Sequence, residues 1–266
     1  MTEETAQASP PPGEPVFVEV LTDEELSVLS RPGPMPVLPC LDQMLPRDLE
    51  TARRTAYRSL VARGIVDPAT PQAVAAAQRS DDGSVELSVR QDVASLVALR
   101  EGARMVVALA RTTAATQDFW YAHVVEDVVL LEEVSRDGFH RFALTRTCAL
   151  SEATTAAAVH PEAADSTGAP EVMAAETGDP TPPDRLLEQL GAAFVRTDLI
   201  VRRVGDQQPP AFSVLSGPKG SWTLEPAGDE HPATGVLATP VSATQARARV
   251  TEAVDGVLAE IGVLHG

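Results

Sequence analysis

The chain has 266 residues, 44% of them hydrophobic, and no apolar run reaches the ~18 residues that a membrane-spanning helix needs. Its 21 Lys and Arg residues against 38 Asp and Glu residues give a net charge of −17. Basic side chains neutralise a nucleic-acid backbone or an anionic membrane surface, so this charge argues against both as partners. Basic or apolar partners are favoured instead.

The N-terminal sequence and the cysteines indicate a compartment. Residues 1–15, MTEETAQASPPPGEP, lack the basic and apolar regions of a secretory signal and are predicted to be a disordered tail. Cys40 and Cys148 are far apart and match no metal-binding or redox spacing, which predicts two buried thiols in a reducing environment. We therefore expect a cytoplasmic protein.

The first predicted elements are a strand, a short helix and a long helix. The strand leads directly into LTDEELSVL, a helical segment for which Thr22 or Asp23 is the expected N-cap. Several prolines make the next segment irregular, because proline lacks a backbone donor and fixes φ. From about Pro46 the apolar residues have helical spacing, and Gly64 ends that second helix.

A helix, four β-rich runs and another helix follow. DDGSVELSV predicts a turn and then a short strand or extended segment, and RQDVASLVALREGA predicts the helix. The four runs are RMVVALART, QDFWYAHVV, EDVVLLEEVS and GFHRFALTRT. Asp137-Gly138 between the last two is a hairpin signal, because Asp-Gly supports turns with positive φ. SEATTAAAVH predicts the closing helix.

The second half repeats this order after a segment at 161–182 that is acidic and rich in small residues and Pro, which predicts a flexible linker. PDRLLEQLGAAF predicts a helix. The four β-rich runs after it are RTDLIVRRV, AFSVLS, SWTLEP and GVLATP. Ser242, with Gln245 three residues later, forms a capping box that begins the last helix.

The order helix, four-stranded meander, helix thus occurs twice, which indicates an internal duplication of the pattern. We predict an α+β fold in which the two pseudo-repeated units form a quasi-twofold antiparallel sheet with helices packed on it. It would be a single domain over 16–262. Its first half would be 16–160 and its second half 183–262, joined by the linker.

Residues for catalysis or metal binding form no recognisable motif, so we predict no catalytic residue, no metal site and no cofactor. His123 and His140 lie in predicted strands, where a histidine that faces solvent or is hydrogen-bonded in place is the simpler interpretation. An enzyme would need a deep pocket that holds one of them beside carboxylates of shifted pKa. The densest carboxylates, Glu126-Asp127 and Glu132-Glu133, are expected on solvated strand faces.

Arginines in the long helix support an alternative function. Arg53, Arg54, Arg58 and Arg63, together with an apolar face, are similar to a helix of a winged DNA-binding domain, and the following VELSV could be its wing. This hypothesis needs the arginines on one exposed face and predicts DNA binding that weakens steeply with salt. The net charge of the protein argues against it.

Four segments of the sequence form a recognisable set. They are the early LTDEEL, the helix end RSLVARGIVDP, the strand RMVVALART with an FxLxR-type meander that closes on a helix, and the strand-to-helix step GVLATPVSATQARARV. Together they resemble the EspG family of ESX (type VII) secretion-associated chaperones of actinobacteria. The resemblance spans roughly Val16 to Ile261.

This resemblance implies a quasi-twofold α+β fold with a central antiparallel sheet. It also implies a cytoplasmic chaperone that binds the helical tip of a secreted PE/PPE heterodimer and keeps it soluble for its secretion machine. The sheet face and the C-terminal helices would then be the partner surface. The mechanism would be shielding, in which an apolar groove covers an amphipathic helix until delivery.

Aromatic side chains on predicted strands are the candidate partner contacts under this reading. They are Trp120, Tyr121, Phe139 and Trp222. Strand alternation sends Trp120 to one face of the sheet and Phe119 and Tyr121 to the other, so at least one large ring could be exposed. In the alternative arrangement, helices or the second meander cover both faces. An exposed apolar sheet face would favour the chaperone hypothesis.

Overall fold

The computed structural model of the protein describes residues 14–30, 36–79, 85–174, 194–206, 209, 211–226 and 235–262. These residues form an α+β fold, as the sequence predicts. The helices of the described part are α1 (Asp23–Leu29), α2 (Pro46–Ala62), α3 (Pro71–Ala77), α4 (Gln91–Glu101), α5 (Leu150–Ala158) and α6 (Ala243–Glu260). Its strands are β1 (Val16–Thr22), β2 (Met105–Thr112), β3 (Gln117–Val125), β4 (Val128–Val134), β5 (Phe139–Arg146), β6 (Glu171–Ala174), β7 (Val195–Arg203), β8 (Ala211–Gly217), β9 (Gly220–Pro226) and β10 (Gly235–Val241).

The ten strands form one sheet in the order β1-β5-β4-β3-β2-β7-β8-β9-β10-β6. Both predicted meanders are present, and they meet at the antiparallel pair β2–β7, where Leu109 lies opposite Leu199. β6 was not expected, because the sequence predicted a linker there, yet it pairs antiparallel with β10. The predicted helix PDRLLEQLGAAF and nearly all of the predicted N-terminal tail lie outside the described residues.

The chain divides into two compact units, each of which is described by itself. We call the first the sheet unit, which comprises the described residues of 1–17, 103–133 and 142–266. We call the second the helical unit, which comprises Val18–Gly102 and Val134–Arg141. The sheet unit holds most of the strands, and the helical unit holds α1 to α4.

In the sheet unit, α5 and α6 cover one face of the sheet. Alternate residues of β2, β3, β7 and β8 point into this core, as the two-residue period of a strand requires. The core includes Met105, Leu109, Trp120, Val124, Leu150, Leu199, Val214, Val250 and Leu258. α6 begins where predicted, since Ser242 Oγ accepts the Gln245 N–H at 3.1 Å and Gln245 Oε1 accepts the Ser242 N–H at 2.8 Å.

In the helical unit, α1 begins with a second capping box. Thr22 Oγ1 accepts the N–H of Glu25, and the Glu25 carboxylate accepts the N–H of Thr22, both at 3.2 Å. The sequence predicted Thr22 as one of two possible N-caps, and this is confirmed. α2 ends before Gly64, whose φ of 65° is the left-handed conformation that glycine adopts readily.

Two elements of the helical unit differ from the prediction. The helix α3 was missed, because its Ala-rich sequence has little periodicity. Its N-cap Thr70, whose side chain accepts from the Ala73 N–H, and its Pro71 at the first helical position were the local signals for it. The predicted strand in DDGSVELSV is reduced, over the described residues 85–90, to one bridge between Val66 and Val89.

The prediction that both thiols are buried was wrong. Cys148 is exposed, because it lies in the 3₁₀ turn Thr147–Ala149 that leads into α5. Cys40 is half-buried in the segment between α1 and α2. Among the described residues, no helix is long and apolar enough to cross a lipid bilayer.

Candidate functional site

A groove of about 920 Å³ runs beside α2 in the helical unit. We call it the α2 groove. Its lining combines α2 with α1 and with the segments that follow α2 and precede α4. The lining residues are Val28, Glu50, Thr51, Arg53, Arg54, Thr55, Tyr57, Arg58, Ala69, Val85 and Leu87. The groove therefore has both charged and apolar walls.

The helix α2 presents its polar side to the groove because its apolar side is used for packing. Ala56 and Leu60 are buried, and they lie one turn apart on the opposite side of the helix. Arg53, Arg54 and Arg58 are exposed and line the groove. Three of the four arginines that the sequence singled out thus share one wall.

The floor of the groove is apolar. Tyr57 is half-buried, and its hydroxyl oxygen accepts the backbone N–H of Ala69 at 2.8 Å, which fixes the ring against the segment after α2. Leu87 is half-buried beside it, and Val85 is 36% exposed. Val28 contributes the last helical turn of α1. An apolar floor with a charged wall is the general composition of a ligand or peptide groove.

The fourth arginine, Arg63, is held in an ion network and does not line the groove. Its guanidinium donates to Glu25 at 2.6 Å, to Glu19 at 2.9 Å and to the carbonyl oxygen of Val20 at 2.8 Å. Arg90 also donates to Glu19, at 2.6 Å. The winged-helix hypothesis needs all four arginines on one free face, whereas Arg63 already has two carboxylate partners.

Arg90 joins this network to Asp92, to which it donates at 2.7 Å. The hydrogen bonds from Arg90 to Asp92 and Glu19 raise the pKa of the guanidinium. The same donation from Arg90 holds the pKa of the Asp92 carboxyl below its usual value. Because both partners are substantially exposed, this pair stabilises the unit only modestly.

Each of the two strand histidines is paired with a buried carboxylate. His140 Nε2 lies 2.6 Å from Asp23 Oδ1 in the helical unit, and both side chains are fully buried. His123 Nε2 lies 2.7 Å from Glu132 Oε2 in the sheet unit. Because these four side chains are closed off from solvent, the pocket that the enzyme hypothesis requires is not formed around either histidine.

Glu132 corrects the prediction for the paired carboxylates. Glu126, Asp127 and Glu133 are exposed as expected, but Glu132 is fully buried. The reason is that β4 is covered on both faces from Val129 to Glu132, and the carboxylate finds His123 on β3. Within the part of the chain that the structure describes, no three His, Cys, Asp or Glu side chains are close enough to hold a metal ion.

The four aromatic residues predicted as partner contacts occupy different environments. Trp120 and Tyr121 are each 3% exposed, on opposite faces of β3, so neither ring is presented to a partner in this conformation. Trp222 is half-buried, with its ring centroid 5.5 Å from that of Phe194. Phe139, at the start of β5, is 51% exposed. Among these four, only Phe139 offers a largely free ring.

The comparisons with known proteins give a likeness of fold. No protein-family model matches the sequence, and no curated protein matches it. Solved structures do match, among them the Mycobacterium tuberculosis type VII secretion system chaperone EspG5 in complex with the PE25-PPE41 dimer. That match has a TM-score of 0.47 and 10% sequence identity, and it covers 89% of this chain and 95% of that chain. It assigns no role to any residue described above.

Proposed function

We propose that this protein is a binding protein, a chaperone or adaptor, that receives a helical segment of a partner protein in the α2 groove. The observation that carries this proposal is the groove itself, with its volume of about 920 Å³ and its mixed lining. Two turns of an α-helix with side chains fill a cylinder about 10 Å wide and about 11 Å long, roughly 850 Å³. The groove is therefore the size of a helix tip.

The lining suits a helix in the orientation that grooves of this kind use. An amphipathic helix places its apolar anchors at intervals of three and four residues, and these would lie on Tyr57, Val85 and Leu87. Its polar side would face the exposed side chains of α2. Covering an apolar helix face in this way prevents aggregation, which is the action expected of an export chaperone.

The more specific proposal concerns the partner. The segments LTDEEL, RSLVARGIVDP and GVLATPVSATQARARV resemble the EspG family, and this supports a helical, PE/PPE-like substrate of a type VII secretion system. In that role the protein acts in the cytoplasm, before the partner is exported. Phe139, whose ring is largely exposed, is proposed as an additional contact.

Affinity purification of the tagged full-length chain from its own host, followed by mass spectrometry, tests the function. The groove variant is Val85→Asp, which puts a charge on the apolar floor. Its control is Val74→Asp, because Val74 is 40% exposed in the same unit, against 36% for Val85, and does not line the groove. We expect wild type and Val74→Asp to recover one helical secreted partner in equal amounts, and Val85→Asp to lose it.

The recovered partner is then purified, and its direct binding to the three proteins is measured by calorimetry. Binding that Val85→Asp weakens and Val74→Asp leaves unchanged supports the groove as the site. Equal binding to all three proteins means that the partner docks elsewhere. Recovery of the tagged chain alone, or with a partner that carries no secretion signal, overturns the chaperone proposal.

A further inference from the structure

The charge of the α2 groove is opposite to that of the whole protein. Its charged lining residues are Arg53, Arg54 and Arg58 against a single carboxylate, Glu50. The complete chain, in contrast, has a net charge of −17. A concave surface with low-dielectric walls concentrates the field of the charges that line it, so the groove attracts anions although the protein as a whole repels them.

Two of these arginines have no partner within the described residues. Arg54 and Arg58 are exposed, and over the described ranges neither side chain has a hydrogen bond or an ion pair. Arg53 has only a long contact, in which its Nε donates to Ser27 Oγ at 3.4 Å. Arg63 differs, because Glu25 and Glu19 neutralise it. The network thus satisfies the arginine outside the groove and leaves those inside it available.

Arg54 and Arg58 are four residues apart on α2, which separates their Cα atoms by about 6 Å along the helix axis. Two carboxylates four residues apart on a partner helix have the same spacing. The planar guanidinium binds a carboxylate through two parallel N–H donors, so the pairing is geometrically specific. A partner helix parallel or antiparallel to α2 would therefore pair with both arginines at once.

We propose that the α2 groove selects an acidic amphipathic helix, with carboxylates one turn apart against Arg54 and Arg58 and apolar side chains on Val85 and Leu87. This inference rests on the proposed function and adds the charge of the partner. A protein partner fits better than a nucleic acid, because the floor is apolar and the net charge of the chain opposes an extended polyphosphate.

The probes are two synthetic amphipathic peptides with the same apolar face, one with Glu pairs four residues apart on its polar face and the other with Lys at those positions. Their binding to the purified full-length protein is followed by fluorescence anisotropy at about 50 and about 300 mM NaCl. We expect wild type to bind the Glu peptide at least about tenfold more tightly than the Lys peptide at the lower salt concentration. The preference should shrink at the higher salt concentration.

The decisive variant is Arg54→Gln/Arg58→Gln, which should lose about tenfold in affinity for the Glu peptide. Its control is Arg47→Gln/Arg136→Gln, which removes the same charge from two exposed arginines outside the groove lining. Circular dichroism and urea unfolding confirm that both double variants are folded. Equal affinity of the two double variants for the Glu peptide overturns the charge selection.

The outcomes separate this inference from the proposed function. If both peptides bind equally well and Val85→Asp abolishes both, the groove is a helix site without charge selection, and only this inference fails. If neither peptide binds at up to about 1 mM, or if Val85→Asp has no effect, the groove as a helix site fails as well. If a DNA duplex competes with the Glu peptide through Arg54 and Arg58, the site is for nucleic acid and both proposals fall.

Discussion

The carboxylate of Asp23 lies 2.6 Å from Nε2 of His140, and both side chains are fully buried although 117 residues separate them in the sequence. The other oxygen of Asp23 accepts the backbone N–H groups of Cys40 at 2.6 Å and of Leu41 at 3.3 Å. The Asp23 N–H donates to the carbonyl oxygen of Gly138 at 2.9 Å. One residue thus joins the start of α1, the segment before α2 and the β4–β5 hairpin.

Asp23→Ala is expected to lower the free energy of unfolding by about 3–5 kcal/mol, because removing one member of a buried pair leaves the other groups without partners. The groups left behind are the His140 ring and two backbone N–H donors. Urea denaturation followed by circular dichroism measures the change. Asp42→Ala, at an exposed position of the same segment, is the control and should unfold as wild type does. Equal midpoints for the two variants would remove Asp23 from its structural role.

Gly138→Ala tests the packing of the same junction. Gly138 has a φ of 72°, and a Cβ built there lies 2.8 Å from Cys40 Sγ and 3.0 Å from Asp23 Cγ. Both backbone strain and collision are expected, for a loss of about 2–4 kcal/mol in the free energy of unfolding. Gly64→Ala has a similar φ of 65° but meets no atom within 4 Å, so it should cost only about 1 kcal/mol. Thermal and urea unfolding of both variants give the difference, and equal losses would mean that the junction yields to a methyl group.

Local signals account for most of the secondary structure that the sequence predicted. The capping box at Ser242 and the Asp-Gly turn at Gly138 are complete within three or four residues, so they can be read without knowledge of the fold. The same holds for the end of α2 at Gly64. β6 lacked such a signal, because a four-residue edge strand depends on β10, which lies about sixty residues away in the sequence.

Side-chain environment was predictable only where one strand or helix decides it. Alternation along β3 correctly separated Trp120 from Tyr121, but it could not show that both faces of that strand are covered. Glu132 was expected in solvent for the same reason, since its partner His123 lies on another strand. The arginines of the α2 groove were noticed in the sequence, whereas its apolar floor comes from a segment about thirty residues further on.

The pair His123–Glu132 is expected to be strongly coupled. Glu132→Leu leaves the buried imidazole without its partner, and His123→Phe leaves a buried carboxylate, so each change alone should cost about 3–5 kcal/mol of the free energy of unfolding. The double variant replaces a polar pair by two apolar side chains. It should therefore lose about 1–3 kcal/mol less than the sum of the single changes. Urea unfolding of the four proteins completes the cycle, and strict additivity would contradict the coupling.

The two thiols should differ in reactivity because their surroundings differ. Burial raises the pKa of the Cys40 thiol, and the nearby charges of Asp23, Glu24 and Asp137 raise it further. Since the thiolate is the reactive form, a raised pKa leaves less of it at neutral pH, and labelling of Cys40 should become rapid only as the pH rises above the range of an ordinary thiol. Cys148 is exposed, so it should react with iodoacetamide about tenfold faster at neutral pH. The variants Cys148→Ser and Cys40→Ser isolate the two rates for mass spectrometry. In about 8 M urea the rates should become equal, because the folded surroundings are lost. Equal rates in the native protein would show that the segment around Cys40 opens to solvent as readily as the turn that holds Cys148.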